Sequence, residues 1–479
     1  MWLLSSRSLV SNALALALLT SCAPAASPVP PVQGPKQPIA ALTTPTTTIP
    51  IPPKPIFDPR TYGATGDGVS FDTAALQKAI DACAGTGGSV YLSRGNFLTA
   101  PLTLKGQMTF FIEKGALLLG STRPADFPVS LPEGAKVAAL CRQLLLAVNA
   151  DHLVLDGEGT IDGQGQKLPM TGKEPSRPSL IHFYNSSDVT VRNLTIKNPR
   201  MWTQIYTRCN HLLIDHETVS SPPKYCPNLD GVDIYDCSDA TVRNCRINSD
   251  DDSICLKSSE PAGLHNITIE NNIIRNTGAN GIKMGSATAG PISGIHIYNN
   301  TILSASLGGF CIESVDGSAV SDVTVRGLDI YRTRQPIFIR LARRSGAAGS
   351  ITGVTIENVR ATAGRGDGAS VCTITGIPEA HIGRVSIRNC YFEMPGGAAT
   401  RPASAPAEME NGYPQANLLG TVPAWAFYIR HADAITLDHV RVARHKPDAR
   451  PWLSSSDATI QTIDSVDLQQ VTPTKPPAD

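Results

Sequence analysis

Ser238-Asp-Ala-Thr-Val-Arg-Asn-Cys-Arg-Ile247 is one copy of a ten-residue unit that recurs along the chain. Ser187–Ile196 reads Ser-Asp-Val-Thr-Val-Arg-Asn-Leu-Thr-Ile, and His265–Ile274 reads His-Asn-Ile-Thr-Ile-Glu-Asn-Asn-Ile-Ile. Ser293–Ile302, Ser321–Ile330, Thr352–Ala361 and Gly383–Phe392 keep the pattern. Third and fifth positions are apolar, as in Val189/Val191, Ile267/Ile269, Ile295/Ile297 and Val323/Val325. Alternation of that kind marks a strand with one buried face. The seventh position is Asn at 193, 244, 271, 299, 358 and 389, which suits a bend where the amide bonds backbone or stacks as a ladder. From Ser238 through His265 and Ser293 to Ser321 the spacing is 27 or 28 residues. That is too short for a βαβ crossover and carries no helical period, so the pattern predicts an all-β parallel solenoid. Adjacent coils then lie about 4.8 Å apart.

Each unit's strand is followed by a second short one: Gly231–Tyr235, Ser253–Lys257, Gly281–Gly285, Gly309–Glu313 and Pro336–Arg340. Their inward pairs read Val232/Ile234, Ile254/Leu256, Ile282/Met284, Phe310/Ile312 and Ile337/Ile339. The residues just before them (Asp230, Asp252, Asn280, Gly308, Gln335) should stack along one edge. Asp233, Lys257, Lys283, Glu313 and Arg340 read as a polar strip on the outer face, suited to gripping a polar chain.

Carboxylates crowd that edge. Asn228-Leu-Asp-Gly-Val-Asp233 is followed by Asp250-Asp-Asp-Ser253. Adjacent acids repel and cannot enter a core unpaired. Turn solvation would explain an isolated triplet, but it does not explain why Asp230 and the triplet occupy matching places in the repeat. Acids at close range push one pKa up and leave others ionised, which supplies a proton donor and a base at one pH.

These motifs resemble glycoside hydrolase family 28, the polygalacturonases and rhamnogalacturonan hydrolases. Phe57–Gly68 and Leu155–Gly165 look like family signatures, Asn228-Leu229-Asp230 is similar to an Asn-Thr-Asp motif, and Asp251-Asp252 to paired aspartates. The resemblance covers residues 56 to 444 and implies a right-handed parallel β-helix. It also implies an inverting hydrolysis of pectic polysaccharide, with Asp251 as general acid and Asp230 and Asp252 holding the attacking water. Asp250 is either a turn residue or a one-residue shift of that register. Asn228, Asp233, Lys257, Asn280, Lys283, Glu313 and Arg340 are the expected substrate-binding residues. Two departures stand out: Ala279-Asn280-Gly281 where polygalacturonases carry Gly-His-Gly, and Cys311-Ile312-Glu313 where they carry Arg-Ile-Lys. A carboxylate in place of a lysine argues against the same uronate pose. Gly281–Ser286 is closer to the rhamnogalacturonan branch, and Lys283 and Arg340 are candidates for replacing the lost positive charge.

Outward from the repeat, Arg7 precedes a short apolar run, Ala13–Leu19, ending in Leu19-Thr-Ser-Cys22. The run suits an export signal and is too short for a membrane span. Residues 1–22 read as a signal peptide with a bacterial lipobox, Cys22 being lipidated; ordinary cleavage beyond Cys22 is the alternative. Residues 23–55 form a Pro/Thr-rich tether, and 56–470 the β-helix. The expected location is the periplasm or outer membrane of a bacterium, otherwise secreted. The expected state is a monomer whose partners are the polysaccharide and, through Cys22, a membrane.

Forty-one basic residues balance forty-one acidic ones, so no nucleic-acid partner is implied. Asp72–Cys83 predicts a capping helix with Asp72 as N-cap and Leu76, Ala79, Ile80 and Cys83 on one face. No Cys-x-x-Cys or zinc-spaced His pair occurs, so neither a metal nor another cofactor is expected. Cys245 and Cys390 share the eighth repeat position and should be buried, and Cys209–Cys226 is a possible disulfide. Residues 395–422 break the repeat and read as a long surface loop. Two further functions stay open. One is a polysaccharide lyase on the same solenoid, with aspartates binding Ca²⁺ and Lys283 or Arg340 as base. The other is a non-catalytic carbohydrate-binding β-helix.

Overall fold

A computed structural model describes residues 52–130, 142–169, 177–221, 226–364 and 370–474. The export signal, Cys22 and most of the tether lie outside the described residues. The rest is a right-handed parallel β-helix in which every strand ladder is parallel.

Each coil contributes three short strands, as in Val232–Tyr235, Ser238–Arg243 and Arg246–Ser249, followed one coil on by Ile254–Ser258, Leu264–Glu270 and Ile273–Asn276. The apolar positions stack in register. Val191, Ile214, Val242, Ile269, Ile297 and Val325 form one column. Val232, Ile254, Ile282, Phe310 and Ile337 form another. All are essentially inaccessible to solvent. Each buried Val or Ile is worth roughly 1.5–3 kcal/mol relative to exposure, so the columns hold the coils together. Ile214 belongs to a coil, Asn210–Asp215, that the repeat did not display, because His211-Leu-Leu-Ile-Asp215 lacks the Asn corner.

The repeated seventh-position asparagines are the corners. Asn193, Asn244, Asn271, Asn299, Asn358 and Asn389 all have positive φ, between 52° and 65°. Asn tolerates this left-handed conformation better than other residues bearing a Cβ. The ladder runs through the eighth position instead: Asn272 Nδ2 donates to Asn300 Oδ1 at 2.9 Å inside the helix. Cys245 and Cys390, also at the eighth position, are buried.

The helix Thr73–Cys83 closes the first coils, with Leu76, Ala79, Ile80 and Cys83 buried as expected. Asp72 does not cap it through its side chain. Its carboxylate turns back to accept from the backbone N–H groups of Thr65 (2.7 Å) and Gly66 (3.1 Å), tying down the preceding loop. Cys209 and Cys226 are both free thiols. Cys209 N–H meets Cys237 Sγ, while Cys226 Sγ lies 3.2 Å from the Arg200 carbonyl.

The expected surface loop packs back onto the solenoid. Leu419, Val422 and Ala424 bury against Val371 and Tyr428, and Ala416 against Cys311 and Phe338. Glu408 and Met409 present carbonyls to Arg340.

Candidate active site

The corner between Arg246–Ser249 and Ile254–Ser258 carries Asp250, Asp251 and Asp252, and one coil earlier the same corner carries Asp230. The pre-strand column forms as read: Gly231 N–H donates to Asp252 O, Ser253 N–H to Asn280 O, and Gly281 N–H to Gly308 O. Gly278 lets the next turn close on the triplet, because a Cβ there would come within 1.9 Å of the Asp250 carbonyl.

A cavity of about 650 Å³ opens over this corner. Asp230, Asp251, Asp252, Asn228, Lys257, Asn280 and Lys283 line it. Asp230 and Asp252 are buried, with carboxylate oxygens within 4.8 Å of each other. Asp251 is half-buried and accepts from Asp252 N–H at 2.9 Å. Asp250 lies outside the cavity lining, its Oδ1 taking the Thr277 hydroxyl at 2.5 Å.

Two buried lysines hold the acids apart electrically. Lys257 Nζ pairs with Asp233, stands 3.9 Å from Asp230 and sits 4.2 Å from the Trp202 ring centroid. Lys283 Nζ bridges Asp252 at 3.1 Å and Glu313 at 3.3 Å. Burial opposes both lysine charges, but Asp233 for Lys257 and Asp252 for Lys283 hold them above the usual lysine range.

The acids separate accordingly. Burial, reinforced by the Asp251 and Asp233 charges, lifts Asp230 well above the ordinary carboxylate range. Burial and the neighbouring Asp252 charge push Asp251 up to about 6. Asp252 is also desolvated, yet Lys283 and Lys257 outweigh burial and keep it below its ordinary value. The corner therefore sets carboxyls pushed toward keeping their protons beside one pushed toward ionisation, the combination acid–base catalysis needs.

Three expected binding residues lie behind the cavity. Asp233 is covered by Lys257, and burial raises it to about 6. Glu313 lies beneath Lys283, and burial raises it to about 7. Arg340 is fully buried under the 397–426 loop, donating to the carbonyls of Gly376 (3.0 Å) and Glu408 (2.6 Å). The polar strip is two columns, because Asp233 pairs with Cys255 and Cys255 with Lys283, whereas Lys257 pairs with Tyr235 and Glu313 with Arg340. Asp233–Lys257 and Lys283–Glu313 meet diagonally across coils.

Other residues complete the wall. Arg344 donates to Ser286 Oγ at 3.0 Å and to Asp316 Oδ1 at 3.0 Å, and its guanidinium lies 5.6 Å from the Tyr413 ring centroid. Tyr413 and Gln415 come from the long loop, which carries no repeat signal. Trp202 was findable: Gln204 pairs with Val232, so Trp202 stands one coil before Asp230 in the same column.

A model of the glycosyl hydrolases family 28 matches residues 136–377, and one described as rhamnogalacturonase A/epimerase, pectate lyase-like, matches residues 57–112. A probable polygalacturonase of Vitis vinifera is 31% identical over 214 residues, covering 41% of this chain and 43% of that protein. An exo-poly-alpha-D-galacturonosidase of Dickeya chrysanthemi is 26% identical over 334 residues, covering 56% and 53%. The chain thus spans about half the length of these two relatives. Among solved structures, the family 28 exopolygalacturonase of Yersinia enterocolitica superposes with a TM-score of 0.66 at 18% identity, covering 88% of this chain and 79% of its own. The endo-xylogalacturonan hydrolase of Aspergillus tubingensis gives 0.57 at 17% identity, covering 85% and 100%. At these identities the structural likeness speaks for the fold.

Proposed function

The chain belongs to glycosyl hydrolase family 28, and from that premise we propose that it hydrolyses O-glycosidic bonds of a galacturonate-containing pectic polysaccharide, with inversion. The observation that carries this reading is one carboxylate cluster facing the cavity: Asp230, Asp251 and Asp252 line it together, with Asp252 paired to Lys283 at 3.1 Å, while burial and the Asp252 charge raise Asp251. Asp251 donates its proton to the leaving oxygen as the anomeric C–O bond breaks. A water placed by Asp230 and Asp252 attacks the anomeric carbon from the opposite face, and Asp252 takes its proton.

Asn228, Asn280, Lys257 and Lys283 are the substrate-binding residues of this reading, joined by Trp202, Arg344 and Tyr413 as the wall. Asn280 Nδ2 donates to Asp252 Oδ1 at 2.7 Å, so it orients the base where polygalacturonases carry histidine. Glu313 is screened by Lys283, so the cavity meets the lysine first. The rhamnogalacturonan branch remains the finer assignment. The lyase reading is disfavoured because two ammonium groups stand within 3.9 Å of Asp230 and Asp252, where Ca²⁺ would have to sit. Incubation with polygalacturonan and rhamnogalacturonan should release new reducing ends without ultraviolet-absorbing unsaturated products. Unsaturated products would establish the lyase, and no cleavage of any pectic substrate would establish a binding module.

We further propose the division into a 1–22 export signal, a 23–55 tether and a 56–470 catalytic β-helix acting as a monomer outside the cytoplasm. No helix among the described residues is long and apolar enough to cross a membrane, and Cys22 supplies the anchor in this reading. A fatty-acid analogue should label the wild type and not Cys22→Ser; equal labelling of both removes the anchor.

A further inference from the structure

Two histidine rings and a carboxylate from three places in the chain converge near the C-terminal coils, outside the catalytic cavity. His381 directly precedes the strand Ile382–Arg388, His431 lies in Phe427–Asp438 and Asp457 in Leu453–Ile463. Asp457 Oδ2 is 3.0 Å from His381 Nε2 and 2.6 Å from His431 Nδ1. These three atoms lie within 4.8 Å of one another. The remaining ring nitrogens also face carboxylates: His381 Nδ1 meets Asp433 Oδ1 at 2.6 Å, and His431 Nε2 stands 3.2 Å from Glu408 Oε2.

We propose that His381, His431 and Asp457 form a site for a divalent transition-metal ion of the zinc class. Each ring turns one nitrogen inward and holds the other against a carboxylate, the outer-sphere arrangement that fixes the tautomer of metal-bound histidines. Two imidazoles and one carboxylate suit zinc, nickel or copper, whereas magnesium and calcium prefer all-oxygen sites. His431 is buried and Asp457 exposed, so the ion enters from solvent and water completes its coordination. Tetrahedral zinc spaces its ligand atoms roughly 3.3 Å apart, so each ring nitrogen need move from Asp457 Oδ2 by less than about 1 Å.

The competing arrangement is a metal-free hydrogen-bonded network. In that network Asp457 Oδ2 alone bridges the two rings, whose centroids are 5.6 Å apart. The site also fastens the long loop. Glu408, which holds His431, belongs to that loop, pairs with Arg430 at 3.1 Å and accepts from Arg340 through its carbonyl. Further along, the same loop brings Tyr413 and Gln415 to the catalytic cavity. The ligands are 50 and 26 residues apart in sequence, which hides them from any short zinc motif.

The test uses the full chain, stripped with chelator and titrated with Co²⁺ and then Zn²⁺ in a non-coordinating buffer. Calorimetry should find one saturable ion per chain, with a visible Co²⁺ spectrum that Zn²⁺ displaces and a melting temperature raised by Zn²⁺. The double variant His381→Gln, Asp457→Asn should lose all three. Asp433→Asn alters only an exposed outer carboxylate and should weaken binding about 10–100-fold. No saturable binding by the wild type overturns the proposal, as does binding that persists unchanged in the double variant. Should the double variant fold poorly, unchanged affinity in Asp433→Asn overturns it independently.

Discussion

Replacing Asp251 with Asn removes one proton from the cavity and almost nothing else. The asparagine Oδ1 can still accept the 2.9 Å bond from Asp252 N–H, and the side chain is half-buried at the rim, so the fold should survive. General acid catalysis is worth about 10²–10⁴ in rate, or roughly 2.7–5.5 kcal/mol of barrier. Hydrolysis of polygalacturonan, followed by new reducing ends, should fall by that range. The pH profile supplies an independent signature. Burial and the Asp252 charge place Asp251 at about 6, and the protonated form is the active one. Wild-type kcat/KM should therefore decline about tenfold per unit above pH 6, and the residual activity of the variant should lose that limb. A galacturonide with a nitrophenol leaving group needs no proton, so its hydrolysis should lose less than about tenfold. Equal losses on the polymer and the aryl glycoside, or a basic limb that survives in Asp251→Asn, would refute the assignment of Asp251 as the acid.

Asp250→Asn should keep most of the activity, since Asp250 bonds Thr277 outside the cavity, whereas Asp252→Asn should cost about as much as Asp251→Asn; the reverse order would shift the register by one. Lys283→Met leaves Glu313 and Asp252 buried without their shared cation. Denaturant titration should find a loss of about 3–5 kcal/mol, while the acidic limb of the rate profile moves up as Asp252 becomes harder to ionise. Adding Glu313→Leu should restore part of the stability and none of the activity. Glu217 is fully enclosed beside Gln204, and burial lifts it from an ordinary 4.5 to about 8. Between those values the folded state binds more protons than the unfolded chain, so stability should fall as pH rises through this window, by on the order of 5 kcal/mol. Glu217→Gln should flatten that slope, and an unchanged slope would place the titration elsewhere.

The solenoid was legible because its determinants are local and periodic. Strand alternation, Asn corners and a spacing of 27 or 28 residues fix register by themselves, and register alone makes Asp230 and Asp252 neighbours. The same logic placed Asn280 and the two lysines at the cavity, Asn280 just before a strand and Lys257 and Lys283 on strands whose inward pairs are unmistakable. What the period could not convey was the route of each outward side chain. Asp233, Glu313 and Arg340 share the outer face in sequence, yet Lys257, Lys283 and the 397–426 loop cover them. Tyr413, Gln415 and Arg344 come from segments with no repeat at all, and the Asn210–Asp215 coil is hidden in the sequence because its corner is His216, not Asn. Tertiary structure alone decided which carboxyls keep their protons, because that depends on burial and on ammonium groups a coil away. It also brought His381, His431 and Asp457 together, since stacking coils makes neighbours of residues that no short motif connects.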